Sequence, residues 1–503
     1  MRPGARTTHS MRKPSRRAAQ VALAAVAVVA VAVPLVALAT TRSGGSSSTR
    51  TAPPSFTRDV APIVQQKCAG CHRVGGIAPF AFEDARDISS RASLIAAVVQ
   101  ARVMPPWPPG PRSPAYAGQE ERTLTARERA TIVAWARAGG GRVDGPARQP
   151  LAEEPLELRE GERRLDLALP AAYRPQANSG ATDDYRCFVL DPQLEEDVDV
   201  TSSRIEPGAS KVVHHVILFR VPAAQASEAT RLDAAAPGPG WSCFGGTGVD
   251  EGATAGSIDA ALNDASWISA WAPGWGGGRL PDGTGVPLPA GSRIVMQVHY
   301  NLLNGRARDR SRAVLTVAPA SAGLAPVRTV LLPAPVELGC AAGERGPLCD
   351  RRAALAELER KYGTTAAFVP AGLLLLCGRN PASVRPTQVS RCDRRISSPT
   401  RILAVAGHMH LLGAAIRIEL NPGTTQGRVL LDIPRWDFHW QNAYALATVV
   451  DAKPGDVVRV TCRHDVTKRH HDAHGVPASP RYVLWGEGTT DEMCLGILQV
   501  TDG

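Results

Sequence analysis

A short motif near the N-terminal end has the spacing needed to attach haem covalently. The segment "KCAGCH" at residues 67–72 contains Cys68 and Cys71 in a Cys-x-x-Cys pattern, followed directly by His72. At this spacing two thiols add to the haem vinyl groups and the adjacent histidine ligates the iron. No further cysteine or histidine is nearby, which argues against a zinc site. The alternative is a disulfide beside a surface histidine.

The sixth iron ligand should come from a later loop. Met104, in "ARVMPPWPPGPR", is the sole methionine of this segment after Cys71. Consecutive prolines restrict the chain around it, so it can be held with little loss of entropy. Core packing is the alternative role, because thioethers also fill gaps. A haem with histidine and methionine ligands is an electron carrier.

Helical patterns surround these ligands. "TARE" from Thr125 is a capping box before "RATIVAWARAGGG", and "SLIAAVVQARVM" predicts a second helix. The stretch from Phe56 to about Gly141 resembles a class I-like cytochrome c domain, and Met104 matches the axial methionine of that family. The resemblance implies a small all-α cytochrome c domain.

Three histidine clusters follow in a part of the chain rich in short β-strand patterns. They are His214 and His215 in "VVHHVILFRV", His299 in "VMQVHYN", and His408 and His410 in "AGHMHLLG". The side chains of a strand alternate between its faces, so His408 and His410 share a face and could chelate one ion. Met493, in "GTTDEMCLGIL", adds a thioether, and imidazole with thioether suits copper. Singly, each histidine would more often be a satisfied core residue.

By the same alternation, His214 and His215 should face opposite ways. They can bind one metal only if the strand is bulged there or if different ring nitrogens are used. The sequence leaves this open.

The segments "HHVILF", "VMQVHYN", "HMHLLG" and "DEMC", in this order, resemble the copper type II, ascorbate-dependent monooxygenases, the family of peptidylglycine α-hydroxylating monooxygenase and dopamine β-monooxygenase. The resemblance covers about residues 165–503 and implies two antiparallel, jelly-roll-like β-sandwiches with one copper each. His214, His215 and His299 would hold the electron-transfer copper. His408, His410 and Met493 would hold the copper that meets dioxygen. Gln297 matches a glutamine near the first site.

The other eight cysteines favour disulfides in an exported protein, with copper or zinc thiolate sites as the alternative. The resemblance of "YRCFVL", "WSCFGG", "VTCRHD" and "DEMC" to paired segments of the family implies Cys187–Cys243 and Cys462–Cys494 bridges. Cys340 with Cys349 and Cys377 with Cys392 are paired only by elimination and proximity, and other connectivities stay open.

The resemblance implies hydroxylation of a C–H bond of a small organic substrate with O2 and two electrons. The peptidylglycine enzyme binds its substrate carboxylate with an arginine and a tyrosine where this chain has Ala406 and Ile497. We therefore expect a less polar substrate. The fused haem would replace ascorbate as the reductant or relay electrons from it or from another redox protein.

Other functions remain open at this point. A non-catalytic copper-binding or electron-transfer protein would use the same ligands. The single Cys-x-x-Cys-His motif disfavours a multihaem protein, and a polysaccharide monooxygenase would need a histidine at the mature N-terminus. His470, His471 and His474 lie in a polar loop and are expected to be solvated.

The N-terminal end predicts export from the cytoplasm. Its first fifty residues contain eight Lys and Arg and no acid, so most of the net charge of +10 lies there and no basic nucleic-acid surface is expected elsewhere. The apolar stretch at residues 18–40 reads as a signal peptide or a membrane anchor, which predicts a periplasmic or otherwise extracytoplasmic protein.

These patterns predict the following organisation. The expected segments are an export segment or anchor (1–42), a flexible linker (43–54), a cytochrome c domain (55–145), a second linker (146–162), an N-terminal copper sandwich (163–332) and a C-terminal copper sandwich (333–503).

Overall fold

The protein is described from a computed structural model. The structure describes residues 52–140, 156–243, 246–249, 262–470 and 479–503, apart from 74, 75, 77, 83 and 178–181. The expected export segment, most of both linkers, and His471 and His474 lie outside these residues. Within them, no helix combines the length and apolar character needed to cross a membrane.

Residues 52–140 form a helical segment around a small apolar core. Its elements are a π-helical turn (Phe56–Val60), α1 (Ala61–Lys67), α2 (Ala85–Ser90), α3 (Ala92–Gln100), α4 (Gln119–Arg122) and α5 (Ala126–Arg137). The predicted capping box is confirmed, since Thr125 and Glu128 cap α5 reciprocally. Phe56, Ile132 and Trp135 are among its most buried residues.

The next part of the chain is an antiparallel β-sandwich. Its strands are β1 (Arg163–Ala168), β2 (Asp183–Leu190), β3 (Val198–Glu206), β4 (Val213–Val221), β5 (Trp241–Ser242), β6 (Trp267–Trp271), β7 (Gly277–Arg279), β8 (Thr284–Leu288), β9 (Arg293–Asn301), β10 (Arg312–Pro319) and β11 (Ala325–Pro326). One sheet has the order β1-β10-β3-β8-β11 with β7 on β3, and the other has the order β5-β2-β9-β4-β6. All pairs are antiparallel except the short β8–β11 pair. One apolar core contains residues from both sheets.

A second sandwich follows. Its strands are β12 (Arg328–Pro333), β13 (Glu337–Leu338), β14 (Val389–Arg395), β15 (Thr400–Met409), β16 (Gly413–Leu420), β17 (Arg428–Ile433), β18 (Ala443–Ala452), β19 (Val457–His464), β20 (Val483–Leu484) and β21 (Cys494–Asp502). The sheets have the orders β12-β21-β15-β18 and β14-β19-β16-β17, and β13 pairs with β20. The boundary expected near residue 332 falls on β12, which pairs with the last strand of the chain.

The strand-rich part of the sequence predicts one interrupting helix, from the pattern "RRAALAELERKYG", and this helix is present as α7 (Arg351–Tyr362). Two more helices are α6 (Ala226–Ala235) and α8 (Thr364–Leu376). The expectation of a single helix was therefore wrong. The sequence of α8 is apolar on nearly every side and contains Pro370, so it lacks the amphipathic period that reveals a helix. Short 3₁₀ turns occur at Ala223–Gln225, Leu302–Asn304, Ala320–Ala322, Pro347–Cys349, Pro381–Ser383 and Val466–His470.

Four disulfides occur in the sandwiches: Cys187–Cys243, Cys340–Cys349, Cys377–Cys392 and Cys462–Cys494. The first and the last confirm the pairings that the resemblance implied. The other two match the pairing by proximity, which the sequence left open. Cys462–Cys494 joins β19 to the first residue of β21, directly after Met493. Disulfides of this number are typical of proteins from oxidising compartments.

We expect the Cys462–Cys494 bridge to contribute more stability than the Cys340–Cys349 bridge. Its cysteines are separated by 32 residues rather than 9, so it restricts the unfolded chain more. Replacing Cys462 and Cys494 by alanine should lower the free energy of unfolding by about 2–4 kcal/mol. Urea unfolding followed by tryptophan fluorescence would measure this. An equal or larger loss in the Cys340→Ala, Cys349→Ala control would contradict the expectation.

Candidate metal centre

Three histidine side chains converge on neighbouring strands of the N-terminal sandwich. His214 and His215 lie on β4, and His299 lies on the adjacent strand β9, directly opposite His215. Their Nδ1 atoms meet: that of His299 is 3.2 Å from Nδ1 of His214 and 3.3 Å from Nδ1 of His215. Two imidazole nitrogens about 2.0–2.1 Å from one ion, the usual length of a Zn–N bond, are about 3.3 Å apart at a tetrahedral angle. The spacing therefore fits a single bound metal ion.

A β-bulge explains how two adjacent histidines reach one point. The register of β4 against β9 shifts between Val213 and His215, so His214 has no direct partner on β9. This extra residue breaks the alternation that would turn the two rings to opposite faces. Both rings then direct Nδ1 toward Nδ1 of His299. The structure thus supplies the bulge that the sequence left open.

A buried carboxylate fixes the orientation of His299. Nε2 of His299 donates to Asp183 Oδ1 at 2.8 Å, and Thr489 also donates to this carboxylate from its N–H and its hydroxyl. With its proton on Nε2, His299 keeps a lone pair on Nδ1. Burial raises the pKa of Asp183, but the hydrogen bond from His299 and those from Thr489 and Thr182 outweigh it and hold the pKa below its usual value. A carboxylate behind a ligating imidazole is a common arrangement in metal sites.

The second set of candidate ligands comes from β15 and from the residues at the ends of β15 and β21. His408 lies on β15, His410 follows it, and Met493 precedes β21. These strands are paired, with Met409 opposite Cys494, so their ends bring the three residues to one region. His408, His410 and Met493 line the same cavity.

Hydrogen bonds leave the Nε2 atoms of this second set available. Nδ1 of His408 donates to Oε1 of Gln441 at 2.6 Å, and Nδ1 of His410 donates to the carbonyl of Asp491 at 3.3 Å. Nε2 of each ring is then the unprotonated atom. The second set therefore offers two Nε2 atoms, whereas the first offers three Nδ1 atoms.

Glu492 holds the backbone around the second set. Its side chain accepts from the N–H groups of His410, Leu412 and Met493, and the residue is fully buried. Burial raises the pKa of Glu492 to about 8, against the lowering effect of these N–H donors. Because one carboxyl group bonds both ligand-bearing segments, it fixes their separation.

Four of the five rings favour the neutral form. Burial lowers the pKa of His214, His215 and His410 well below the usual value and that of His408 to about 4. Neutral imidazole is the form that binds metal. Nε2 of His214 is buried without a hydrogen-bond partner among the described residues.

The two sets adjoin. The resemblance implied one copper in each sandwich, and the rings of His215 and His408, one from each sandwich, have centroids 6.2 Å apart. Phe438 lies between the sets. Its ring centroid is 4.5 Å from that of His214, on which it stacks, and 6.0 Å from that of His410. The five rings thus form one continuous cluster.

A cavity of about 750 Å³ reaches this cluster. Its wall is mostly apolar and includes Ile217, Trp267, Trp271, Leu331, Phe368 and Leu373. Ala406 and Ile497, which replace the carboxylate-binding residues of the peptidylglycine enzyme, are opposite each other on β15 and β21 and both line it. Gln297 also lines the cavity, but its amide donates to the carbonyls of Cys243 and Gly246.

Comparison with known proteins adds a family match in the second sandwich. Residues 386–499 match the family "Copper type II ascorbate-dependent monooxygenase, C-terminal domain". This matched domain contains His408, His410 and Met493 and supports a copper-dependent monooxygenase function. No curated protein matches the chain.

Solved structures give only a weak likeness. The major capsid protein P2 of bacteriophage PM2 is 10% identical, with 68% of this chain and 97% of that chain covered and a TM-score of 0.23. An allantoicase is 11% identical, with 63% and 81% covered and a TM-score of 0.15. We draw no argument from these values.

The expected haem ligands lie in the helical segment. Cys68 and Cys71 are free thiols, so the alternative of a disulfide between them is not what the structure contains. Nδ1 of His72 donates to the carbonyl of Phe80 at 3.0 Å, which leaves Nε2 as the unprotonated atom. Met104 lies in the loop after α3, where its N–H donates to the carbonyl of Val98. His470 is exposed, and its Nε2 atom lies 2.7 Å from Oε1 of Glu344.

Several site residues carried no recognisable signal in the sequence. Asp183, Gln441 and Glu492 are far along the chain from the histidines whose nitrogens or N–H groups they bond. Only the pairing of β2 with β9 brings Asp183 near His299. The one available signal was the position of Glu492 beside Met493.

We expect Asp183→Asn to weaken metal binding at the three-histidine set. The amide loses the charge that orients and polarises His299, and such changes cost about 10–100-fold in metal affinity. Competition titration of copper against a chelator would measure it. Asp184→Asn is the matched control, because Asp184 is similarly buried but accepts from Tyr173 and Gln176 instead. Equal losses in both variants would contradict the role assigned to Asp183.

Proposed function

We propose that the protein is an exported dicopper monooxygenase that hydroxylates a C–H bond of a small, mainly apolar substrate with O2. One observation carries the proposal: two ligand sets meet at one cavity, and the first presents Nδ1 atoms whereas the second presents Nε2 atoms. The family match of the second sandwich supports the same chemistry.

The donor sets fit copper. Three imidazoles would hold one ion at His214, His215 and His299, and two imidazoles with the Met493 thioether would hold the other. Thioether and imidazole suit copper better than zinc, calcium or magnesium. When bound, copper at these sites would activate dioxygen and supply the electrons that hydroxylation requires. Asp183, Gln441 and Asp491 keep the ligand nitrogens unprotonated, and Glu492 fixes the segments that bear His410 and Met493.

The cavity indicates the substrate class. Its wall offers Ala406 and Ile497 in place of carboxylate-binding side chains, so a substrate carboxylate would be desolvated there without compensation. Helix α8 lines the cavity and carries Phe368, which is 69% exposed. An apolar molecule can bury surface at each of these positions. This supports a neutral substrate.

The helical segment would supply electrons. We propose that Cys68 and Cys71 bind a c-type haem, with His72 and Met104 as its axial ligands. The free thiols and the unprotonated Nε2 of His72 fit this role. The haem would pass electrons from ascorbate or another redox protein to the copper sites. Residues 55–145 would then be a cytochrome c domain beside the two copper sandwiches.

A non-catalytic copper-binding or electron-transfer protein is the second candidate, since it would use the same ligands. The apolar cavity beside the ligand sets favours the enzyme, because electron transfer alone has no need of a substrate-sized space.

Met493→Leu tests the function. It removes the thioether but nearly keeps the volume, so we expect loss of the second copper and of product with little loss of stability. The assay supplies ¹⁸O2, ascorbate and a panel of neutral apolar molecules to the haem-loaded, copper-loaded protein, and mass spectrometry detects the incorporation of one labelled oxygen atom. Copper per chain is measured in parallel.

The matched control is Met409→Leu, at a fully buried methionine between His408 and His410 in sequence. It should retain both coppers and the activity. A wild-type protein that binds two coppers but gives no labelled product with any substrate would favour the non-catalytic candidate. Equal copper loss in both variants would contradict the assignment of Met493.

A further inference from the structure

The helical segment is attached to the C-terminal sandwich through an aromatic cluster. Trp107 and Tyr116, from the loop between α3 and α4, pack on Tyr444 of β18 with ring centroids 5.4 and 5.1 Å away. Tyr116 is only 4% exposed and belongs to the core of the second sandwich. The loop that follows Met104 therefore contributes to the hydrophobic core of the second sandwich.

Backbone hydrogen bonds continue this attachment. Tyr116 forms an antiparallel bridge with Leu446, with bonds from Ala117 N–H to the Ala445 carbonyl and from Ala447 N–H to the Ala115 carbonyl. Residues 115–117 thus extend the sheet beside β18. The hydroxyl of Tyr116 donates to the carbonyl of Leu430 at 2.8 Å.

A second group of contacts surrounds Asp432 on β17. Its carboxylate accepts from Arg112 at 3.0 Å and from Arg417 at 2.9 Å. The N–H of Gly110 donates to its carbonyl at 2.7 Å, and the Ser113 hydroxyl bonds its backbone. Together these contacts hold residues 107–117, which we name the docking loop, at a fixed place on the second sandwich.

A short path leads from the docking loop to the second ligand set. Tyr444 is three residues after Gln441 in the sequence, and Gln441 accepts the hydrogen bond from His408 at 2.6 Å. Tyr444 is also opposite Val405 on β15, the strand that bears His408. Both routes end at His408.

The contact with the other sandwich is much smaller. Among the described residues, Arg122 donates to the carbonyl of Gly274 at 2.8 Å, in the loop between β6 and β7. This loop holds none of the three histidines. The first ligand set adjoins the second through His215 and His408, whose rings are 6.2 Å apart, and through Phe438, which stacks on His214.

We propose that electrons enter through the docking loop. They reach the second set (His408, His410 and Met493), at His408, before they reach the three-histidine set. The proposal rests on the proposed function, because it needs haem at Cys68 and Cys71 and copper at both sets. With haem held by Cys68, Cys71, His72 and Met104 and copper held by His408, His410 and Met493, one electron would pass from ferrous haem to Cu(II) and give ferric haem and Cu(I). No bond forms or breaks. The resemblance assigned electron supply to the three-histidine copper, so this order of entry differs from it.

The test follows a single electron without substrate or oxygen. A flash-reduced flavin delivers one electron to the haem of the fully oxidised, copper-loaded protein, and the haem absorbance reports its reoxidation. His410→Ala, which removes the second copper, should slow this intramolecular phase by roughly tenfold or more, equivalent to about 1.4 kcal/mol in the barrier. His214→Ala, which removes the first copper, should leave the phase nearly unchanged. Copper per haem, measured on each variant, verifies which ion is missing.

Gln441 provides an independent variant. Gln441→Leu loses the acceptor for His408 and should slow haem reoxidation, whereas Gln441→Glu keeps an oxygen acceptor and should stay close to the wild type. Fast reoxidation in His410→Ala with slow reoxidation in His214→Ala would overturn the entry order and leave the proposed function intact. A wild-type protein without haem or without copper would overturn both.

Discussion

The structure depends on one constraint, which is the close packing of five imidazole rings in a single cluster, with His214, His299 and His410 buried and His215 and His408 half-buried. A buried polar atom without a partner costs about 1–3 kcal/mol, so the nitrogens of the buried rings need partners. Asp183, Gln441 and the Asp491 carbonyl each take one N–H. The Nδ1 atoms of His214 and His215 each lie 3.2–3.3 Å from Nδ1 of His299, and one metal ion bound by all three would satisfy them together. This geometry is the basis of the proposed metal sites.

Each sandwich brings its part of the cluster together through a pair of adjacent strands. In the first, paired strands β4 and β9 bring their histidines together, and one bulge at His214 corrects the facing of the rings. In the second, paired strands β15 and β21 end at His410 and Met493, and the buried Glu492 bonds both ends. The Cys462–Cys494 bridge holds the start of β21 to β19, so the thioether is supported by covalent and hydrogen-bonded contacts.

Much of this could be predicted from local patterns. The β-strand patterns predicted the strands that carry His299 and His408, and the capping box predicted α5. Two disulfide pairings were implied by the resemblance and not by a local pattern, and the other two rested on elimination and proximity alone. The bulge at His214 could not be predicted, because it depends on the register with β9 and not on β4 alone. Asp183 and Gln441 were missed for the same reason, since only tertiary pairing brings them to the histidines. Helix α8 was missed because its uniformly apolar sequence has no period, and the adjacency of His215 and His408 depends on how the two sandwiches pack.

The most direct test of the central claim is a crystal structure of the copper-loaded protein with anomalous diffraction recorded at the copper edge. The account predicts two separate peaks. One should be bonded to the three Nδ1 atoms of His214, His215 and His299, and the other to Nε2 of His408, Nε2 of His410 and the sulfur of Met493. A single copper shared by His215 and His408, or ligation of either ion through the opposite ring nitrogens, would contradict it.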